Sequence, residues 1–343
     1  MAQTALKIGN NLKVSRWLRK YTIWIALAAV VPAVFIWRSA VGQQPVIDTF
    51  SVIIFTLAFS TPITLGALSG TFSERSGVVN IAIEGMMLSG AYFGALFTKI
   101  TGEIWIGFIG AILVGGLLAL FHGALSIYFR VDQIISGTVI NIFAFGLTSF
   151  LHSLTKKTAD ATPSKLPAIS FKVENTSFTL GFVTILGIVA IFVGHYVLFK
   201  TRWGLRTRAV GENPKAADTA GVNVFKVRYI NVVISGMLAG TAGTYFSLQV
   251  LGGFTEGMTV GTGFIALAAM IFGNWNPLNA WGAALIFGLC ITADSMLQSW
   301  YGNITWLHTI TQAIPYVVTI VVVAGVIGRS RPPASVGVPY TKQ

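Results

Sequence analysis

The chain has little charge and almost no cysteine. Only 10% of its 343 residues are charged, whereas 54% are hydrophobic. Soluble domains carry roughly 25% charged residues, so this composition excludes a soluble globular enzyme. The single cysteine, Cys290, lies in an apolar run. The sequence therefore allows no intrachain disulfide and no cysteine cluster for zinc or an iron–sulfur group.

Motifs for nucleotide and metal binding are also missing. The sequence contains no G-x-x-x-x-G-K-[ST] phosphate loop, the usual cradle for a nucleotide, and none of the Cys/His spacings of a metal site. We therefore expect no catalytic residue, no metal and no cofactor in this chain.

Acidic residues are scarce relative to basic ones, 11 against 23, which gives a net charge of +12. A surface that binds nucleic acid would need the basic residues gathered on one solvated face. Here they occupy short breaks between apolar runs. We therefore expect membrane lipid, and no nucleic acid, as the neighbour of this chain.

Long apolar runs dominate what is present. The hydrocarbon core of a bilayer, about 30 Å thick, requires about 20 apolar residues per helix. The runs predict an all-α, polytopic membrane protein with about ten transmembrane helices. The predicted spans are 21–37, 47–72, 78–98, 104–129, 133–151, 179–199, 227–251, 257–273, 278–297 and 305–327.

The basic residues indicate how these spans are oriented. With a cytoplasmic N-terminus, 17 of the 23 Lys and Arg residues fall in cytoplasmic segments and 6 in extracellular ones. The positive-inside rule therefore favours both termini inside. The predicted organisation is a cytoplasmic segment (1–20), a transmembrane domain (21–328) with an extracellular loop (152–178) and a cytoplasmic loop (200–226), and a cytoplasmic tail (329–343). The first run is span-length and has no A-x-A-like cleavage site, so we expect no cleaved signal peptide.

The chain contains a weak internal repeat. At an offset of 172 residues, 84–125 aligns with 256–297 without a gap, and 9 of the 42 aligned pairs are identical. Both copies open on Glu-Gly-Met, at Glu84 and at Glu256. Under the predicted orientation the two following spans run in opposite directions, so the repeat is inverted. Inverted repeats place a translocation path at their interface near the midplane, which leaves a channel, a secondary carrier and an ATP-driven permease open.

The cytoplasmic loop 200–226 predicts a short helix of its own. Asn213 is a good N-cap, Pro214 suits the first helical position, and Gly221 suits the C-terminal stop. A helix of about 10 Å is too short to be stable alone. We therefore expect a partner or the membrane surface to hold it.

Two stretches resemble a known family. The first, residues 211–222, reads GENPKAADTAGV and resembles the cytoplasmic coupling-helix loop in permease subunits of ABC importers of the ribose and branched-chain amino-acid class. The second, residues 72–87, reads FSERSGVVNIAIEGMM and is similar to the signature of the nucleoside and simple-sugar branch of that class. The resemblance extends from about residue 20 to residue 328.

The resemblance implies a permease subunit of an ATP-driven importer in a bacterial or archaeal cell (inner) membrane. The short helix would dock on a separate ATP-binding subunit, which holds ATP and Mg. A second permease subunit, with a paralogue favoured, and an extracellular substrate-binding protein would complete the transporter. Nucleosides are the preferred substrate, simple sugars the alternative within the class, and a secondary carrier the alternative from a different class. The residues expected to couple the chain to the ATPase are Gly211, Glu212, Asn213, Pro214, Ala216, Ala217, Asp218, Ala220 and Gly221.

Polar residues inside the apolar runs are the candidates for the substrate path, because hydrocarbon makes them expensive. Gln133, Gly137 and Asn141 recur every four residues on one face of the fifth span, and the spacing of Asn80 and Glu84 puts both on one helix face. Amides suit the hydroxyls and ring nitrogens of a sugar or nucleoside. Aromatic residues such as Phe143 and Phe145 could stack on a base. The alternative is that these polar groups only hydrogen-bond neighbouring helices.

Overall fold

The computed structural model of the chain describes residues 45–155, 165–173, 176–301 and 330–342. The predicted segment 1–20 and the predicted spans 21–37 and 305–327 lie outside the described residues.

The described chain is mostly helical. Its helices are α1 (Pro45–Arg75), α2 (Ile83–Thr101), α3 (Ile104–Gly123), α4 (Gln133–Leu154), α5 (Phe182–Lys200), α6 (Arg202–Glu212), α7 (Pro214–Thr219), α8 (Val224–Thr244), α9 (Thr262–Phe272) and α10 (Pro277–Tyr301). Short π-helical segments extend α3 over Ala124–Tyr128 and α8 over Tyr245–Leu251.

Several of these helices have the length and composition of membrane spans. Within the described residues, 5 stretches are long and apolar enough to cross a bilayer. They are Phe50–Arg75, Ile104–Tyr128, Gln133–Leu154, Phe182–Lys200 and Pro277–Met296. On α3 and α5 the exposed side chains include Leu113, Leu117, Phe192 and Val193, as expected of faces that meet lipid. The prediction of a mostly helical chain with several membrane-length helices is confirmed.

A β-hairpin departs from the all-α prediction. Strand β1 (Ala168–Val173) pairs antiparallel with β2 (Thr176–Gly181). The hairpin begins in the stretch 152–178 that the sequence assigned to a loop and takes up the first three residues of the predicted span 179–199, so that α5 begins only at Phe182. Phe171 lies opposite Phe178, and their rings stack 5.9 Å apart. Aromatic and β-branched residues that alternate between two faces favour strands, and cross-strand aromatic pairs stabilise them.

Helix α9 is shorter than the predicted span 257–273. It begins at Thr262 because Gly257, Val260 and Gly261 have left-handed backbone angles, with φ of 67°, 46° and 75°, which a right-handed helix cannot contain. The 11 residues of α9 extend about 16 Å, roughly half of a hydrocarbon core.

Helices α1 and α8 form the centre of the bundle. α1 packs against α5, α8, α9 and α10, and α8 packs against α1, α2 and α3. Glycines bring backbones into direct contact: a Cβ on Gly90 of α2 would lie 2.6 Å from Gly240 Cα of α8. Ser69 of α1 donates to Ser235 O of α8 over 2.7 Å, which joins the two central helices inside the bundle.

The aligned halves of the repeat pack in equivalent ways. α9 and α10, which correspond to α2 and α3, pack on α1, whereas α2 and α3 pack on α8. The repeat aligns Gly116 with Gly288. A Cβ on Gly116 would face Met237 of α8, and a Cβ on Gly288 would face Ser60 of α1. The correspondence seen in the sequence thus extends to the packing partners.

Segments predicted to share a side of the membrane meet in the structure. At one end of the bundle, the Arg75 Nε donates to Trp275 O over 2.8 Å, which joins the end of α1 to the turn before α10. At the other end, Leu166 N donates to Leu248 O over 3.0 Å. There the rings of Trp105 and Phe182 also pack 5.2 Å apart, centre to centre.

Candidate functional site

Residues 76–82, called here the entry loop, join α1 to α2 without helical structure. Two amides of α4 hold the backbone of this region. Gln133 Oε1 accepts from Val79 N over 2.7 Å, while Asn141 Nδ2 donates to Ile81 O over 2.9 Å and its Oδ1 accepts from Gly85 N over 2.8 Å. Non-helical backbone inside a membrane protein needs such partners, because hydrocarbon offers none.

Asn80 lies within the entry loop and is fully buried. Its Nδ2 donates to Ser235 Oγ over 2.8 Å, and its Oδ1 accepts from Ala82 N over 3.1 Å. Because α2 begins only at Ile83, the prediction that Asn80 shares a helix face with Glu84 is wrong. Asn80 joins the loop to α8 instead.

Gly137 allows α4 to approach the entry loop closely. A Cβ at this position would lie 3.1 Å from Ala82 N and 3.2 Å from Ile81 Cβ. The predicted face of Gln133, Gly137 and Asn141 therefore does point to one place, the backbone of residues 79–85.

Glu84, in the first turn of α2, caps the start of α9. Its Oε1 accepts from Thr259 Oγ1 over 2.6 Å and from Gly261 N over 2.9 Å, and its Oε2 accepts from Gly263 N over 2.6 Å. The first N–H groups of a helix lack intrahelical partners and carry partial positive charge, which a carboxylate satisfies. Half-length helix α9 and the first turn of α2 thus meet at this one side chain.

The structure does not bring Phe143 to this cluster. Phe143 lies on an apolar groove between α3 and α4, together with Leu117 and Phe121. Phe145 lies instead near the turn before α9, 3.6 Å from the position that a Cβ on Gly257 would occupy. The spacing of Asn141 and Phe145, four residues along one helix, was the signal that could have singled it out.

Glu84 and Asn141 are half-buried, unlike Asn80 and Gln133. The side chains of Phe145 and Phe264 are 55% and 50% exposed on the same region of α4 and α9. A carboxylate and an amide that face lipid would be costly. We call this surface the α4/α9 face.

The predicted short helix in the cytoplasmic loop is present as α7. Asn213 Oδ1 caps it by accepting from Ala216 N over 3.1 Å, and Pro214 takes the first helical position. Gly221 ends it, with a φ of 81° that other residues rarely adopt. Gly211, just before α7, packs against the backbone of Arg75.

One face of α7 is buried and the other is open. Ala217 is 5% exposed and packs in a cluster with Val210, Val224 and Tyr340. Ala216 and Ala220 are exposed. Within the predicted coupling set, a partner can thus contact Ala216 and Ala220 directly, whereas Ala217 belongs to the underside of the helix.

Tyr340 completes that underside. It is 6% exposed, and its hydroxyl neighbours the Asp218 carboxylate. Burial and the neighbouring carboxylate raise the pKa of Tyr340 above its ordinary value, so the hydroxyl stays protonated at neutral pH. Among the described residues, no group of three His, Cys, Asp or Glu side chains is arranged to hold a metal.

The chain matches a protein family over most of its length. Residues 52–327 match the model of the permease component of branched-chain amino acid transport systems. The guanosine ABC transporter permease proteins NupQ and NupP of Bacillus subtilis (strain 168) are 40% and 28% identical to this chain, over 87% and 70% of it and 98% and 73% of their own lengths.

Two further relatives carry nucleoside and sugar names. The nucleoside ABC transporter permease protein NupC of Lactococcus lactis subsp. cremoris (strain MG1363) is 37% identical over 87% of this chain and 99% of its own length. TsgC13 of Haloferax volcanii is 37% identical over 71% of this chain and 77% of its own length. Its name gives it a proposed role as a glucose ABC transporter permease protein.

Proposed function

Because this chain belongs to the family of permease components of branched-chain amino acid transport systems, we propose that it is one of two transmembrane subunits of an ATP-driven importer of nucleosides. The observation that carries the substrate class is the 40% identity to a guanosine transporter permease over 98% of that protein. The likeness to a relative assigned to glucose keeps simple sugars as the second candidate.

The arrangement in the membrane follows the charge bias. We propose ten spans with both termini cytoplasmic, in the inner membrane where a cell has two. The end of the bundle that carries α7 then faces the cytoplasm, and the end that carries the β-hairpin faces outward. The copies 84–125 and 256–297 run in opposite directions in this arrangement. The equivalent packing of Gly116 on α8 and of Gly288 on α1 supports such a repeat.

The cytoplasmic partner is a separate ATP-binding subunit, which holds ATP and Mg. We propose that it receives the exposed face of α7, from Asn213 to Ala220. Small side chains at Ala216 and Ala220 let a partner approach the helix backbone closely. The buried face, at Ala217, transmits the resulting force into the bundle. No step of the hydrolysis is assigned to a side chain of this chain.

The second transmembrane subunit covers the α4/α9 face, and the substrate passes between the two subunits at the level of Glu84 and Asn141. Both polar groups are half-buried on an otherwise apolar surface, which a water-filled path explains better than lipid does. Phe145 provides an aromatic ring for a base beside them. Asn80, Gln133 and Gly137 hold the backbone behind the path. A paralogue is the favoured second subunit, since Bacillus subtilis has two guanosine transporter permeases that differ from one another in similarity to this chain.

An extracellular substrate-binding protein delivers the substrate to the hairpin end. The substrate class is tested by reconstituting the complete transporter and measuring uptake of labelled guanosine against an excess of unlabelled nucleosides, ribose or glucose. We expect nucleosides to suppress uptake and both sugars to leave it unchanged. Vesicles without the binding protein are the control. Saturable uptake of glucose that guanosine does not suppress would establish the sugar alternative instead.

A further inference from the structure

Residues 330–342, called here the tail segment, lie without helical or strand structure on the end of the bundle that carries α7. Pro333 and Tyr340 are buried, and most residues around them are exposed. The segment is thus fixed by two buried side chains and by hydrogen bonds from its backbone to the end of α6, to the entry loop and to the turn before α10.

The first half of the tail segment joins the end of α6, just before α7, to the entry loop. Ser335 N donates to Gly211 O over 2.8 Å, and Ser335 Oγ donates to Glu212 O over 3.1 Å. Two residues later, Gly337 N donates to Gly77 O over 3.2 Å. One short piece of chain therefore binds both the residues that lead into α7 and the residues that lead into the path.

Further contacts hold the segment along its length. Arg331 N donates to Asn274 Oδ1 over 3.0 Å, in the turn before α10. Arg228 of α8 is 1% exposed, and its Nη1 donates to Val338 O over 3.1 Å. The tail segment therefore binds a buried guanidinium of the central helix α8.

The second half of the segment places Tyr340 beneath α7. Its ring lies among Val210, Ala217 and Val224, 5.4 Å from the ring of Phe225. Ala217 has a side chain of one carbon, so the underside of α7 is too small to fill this space by itself. The ring of Tyr340 fills part of the space between α7 and the residues of α6 and α8 beneath it.

We propose that Tyr340 is a positioning residue of the transport cycle, and that the tail segment connects α7 to the entry loop. A displacement of α7 by a partner moves Tyr340 and, through Ser335 and Gly337, the loop at Gly77. That loop leads directly to Val79 and Ile81, which Gln133 and Asn141 hold. The inference rests on the proposed function, because the connection can transmit a movement only if an ATPase binds α7 and displaces it.

The experiment compares Tyr340→Ala with Tyr340→Phe in the complete transporter in proteoliposomes, and measures ATP hydrolysed per substrate imported. Deleting a buried aromatic ring weakens its local association by on the order of 100-fold. We expect Tyr340→Ala to hydrolyse severalfold more ATP per imported molecule. Tyr340→Phe keeps the ring and loses only the hydroxyl beside Asp218, so its ratio should stay near that of the wild type.

A purely structural role would lower uptake and hydrolysis together and leave the ratio unchanged, and that result would overturn the inference. If Tyr340→Ala does not assemble, the same ratio is measured on Tyr340→Leu, which keeps an apolar side chain but lacks the reach of the ring. Wild-type uptake that needs no ATP would instead overturn the proposed function, and the inference with it. The wild-type measurement therefore separates the two failures.

Discussion

The amide of Asn141 spans the gap between a helix and a non-helical loop, since it binds both Ile81 O and Gly85 N. Glu84 likewise joins two elements: its carboxylate, on α2, accepts hydrogen bonds from three groups at the start of α9. In water, solvent could replace either side chain at small cost. In a bilayer, each lost bond leaves a buried polar group unpaired, at a cost of about 1 to 3 kcal/mol. Polar residues inside this bundle therefore set where its helices begin.

Asn141→Leu keeps the approximate volume of the side chain and removes its donor and its acceptor. We expect uptake to fall by roughly 5- to 150-fold, which corresponds to about 1 to 3 kcal/mol for an unpaired partner group. Assembly with the ATPase should survive, because Asn141 binds backbone groups at Ile81 and Gly85, whereas the ATPase is proposed to bind the exposed face of α7. Initial uptake rates and a pull-down of the ATPase measure the two effects.

The matched control is Ile142→Leu, an isomeric change at the neighbouring exposed position, which should leave both measurements unchanged. Normal uptake by Asn141→Leu together with lost assembly would show that Asn141 only connects helices. The path would then have to be sought at other residues of the α4/α9 face.

The ends of helix α7 could be predicted from the sequence, but the direction of its faces could not. Its cap, first residue and stop could be predicted from Asn213, Pro214 and Gly221, because these signals are local. The direction of its faces could not, since Ala216 and Ala217 are the same residue type and only the tertiary contact with Tyr340 tells them apart.

We predict that Ala216→Glu with Ala220→Arg disrupts docking of the ATPase and leaves the bundle folded. Both positions are exposed, and a Glu four residues before an Arg supports a helix. Bulky side chains on the open face should weaken binding of the ATPase by at least about tenfold, as losses at the centre of an interface do. The pair Ala216→Ser with Ala220→Ser keeps the face small and serves as the control. Undiminished binding by the Glu/Arg variant would place the docking surface elsewhere.

Other elements differ in how far the sequence predicts them. The ends of α3, α4 and α10 lie close to the apolar runs, because span length and hydrophobicity are properties of the segment itself. The shortened start of α9 depends on left-handed angles at Gly257, Val260 and Gly261, and Val260 gives no such signal in the sequence. The β-hairpin was missed since its strands are short and partly polar, and a long polar connection between spans is usually a loop.

At the scale of the whole molecule, the interpretation depends on which end faces the cytoplasm. The structure groups Arg75, Gly211 and Asn274 at one end and the β-hairpin at the other. We predict that single cysteines at Ser170 and Lys215, both exposed, react with a membrane-impermeant thiol reagent from opposite sides in a Cys290→Ala background. Position 170 should be labelled in intact cells, and position 215 only after the membrane is opened. Labelling of position 215 in intact cells would show that α7 lies outside the cell, and would contradict both the proposed orientation and docking of the ATPase on α7.

The position of the tail segment could not be predicted from the hydrophobic periodicity of the sequence. The segment has no apolar run and no helical pattern, so the sequence predicted a cytoplasmic tail and named no contact of it. Two buried side chains, Pro333 and Tyr340, and hydrogen bonds to backbone groups hold it in place. Backbone groups carry no sequence signature, and such docking appears only in three dimensions.

The central claim is that a separate ATPase, seated on α7, drives import through this chain. The most direct measurement is guanosine uptake into proteoliposomes that contain both permease subunits, the ATPase and the binding protein. It is made with enclosed ATP and no ion gradient, and again with a proton gradient and no ATP. We predict accumulation in the first condition, its loss in the Ala216→Glu with Ala220→Arg variant, and none in the second condition. Accumulation driven by the proton gradient alone, undiminished in that variant, would contradict the account and identify a secondary carrier.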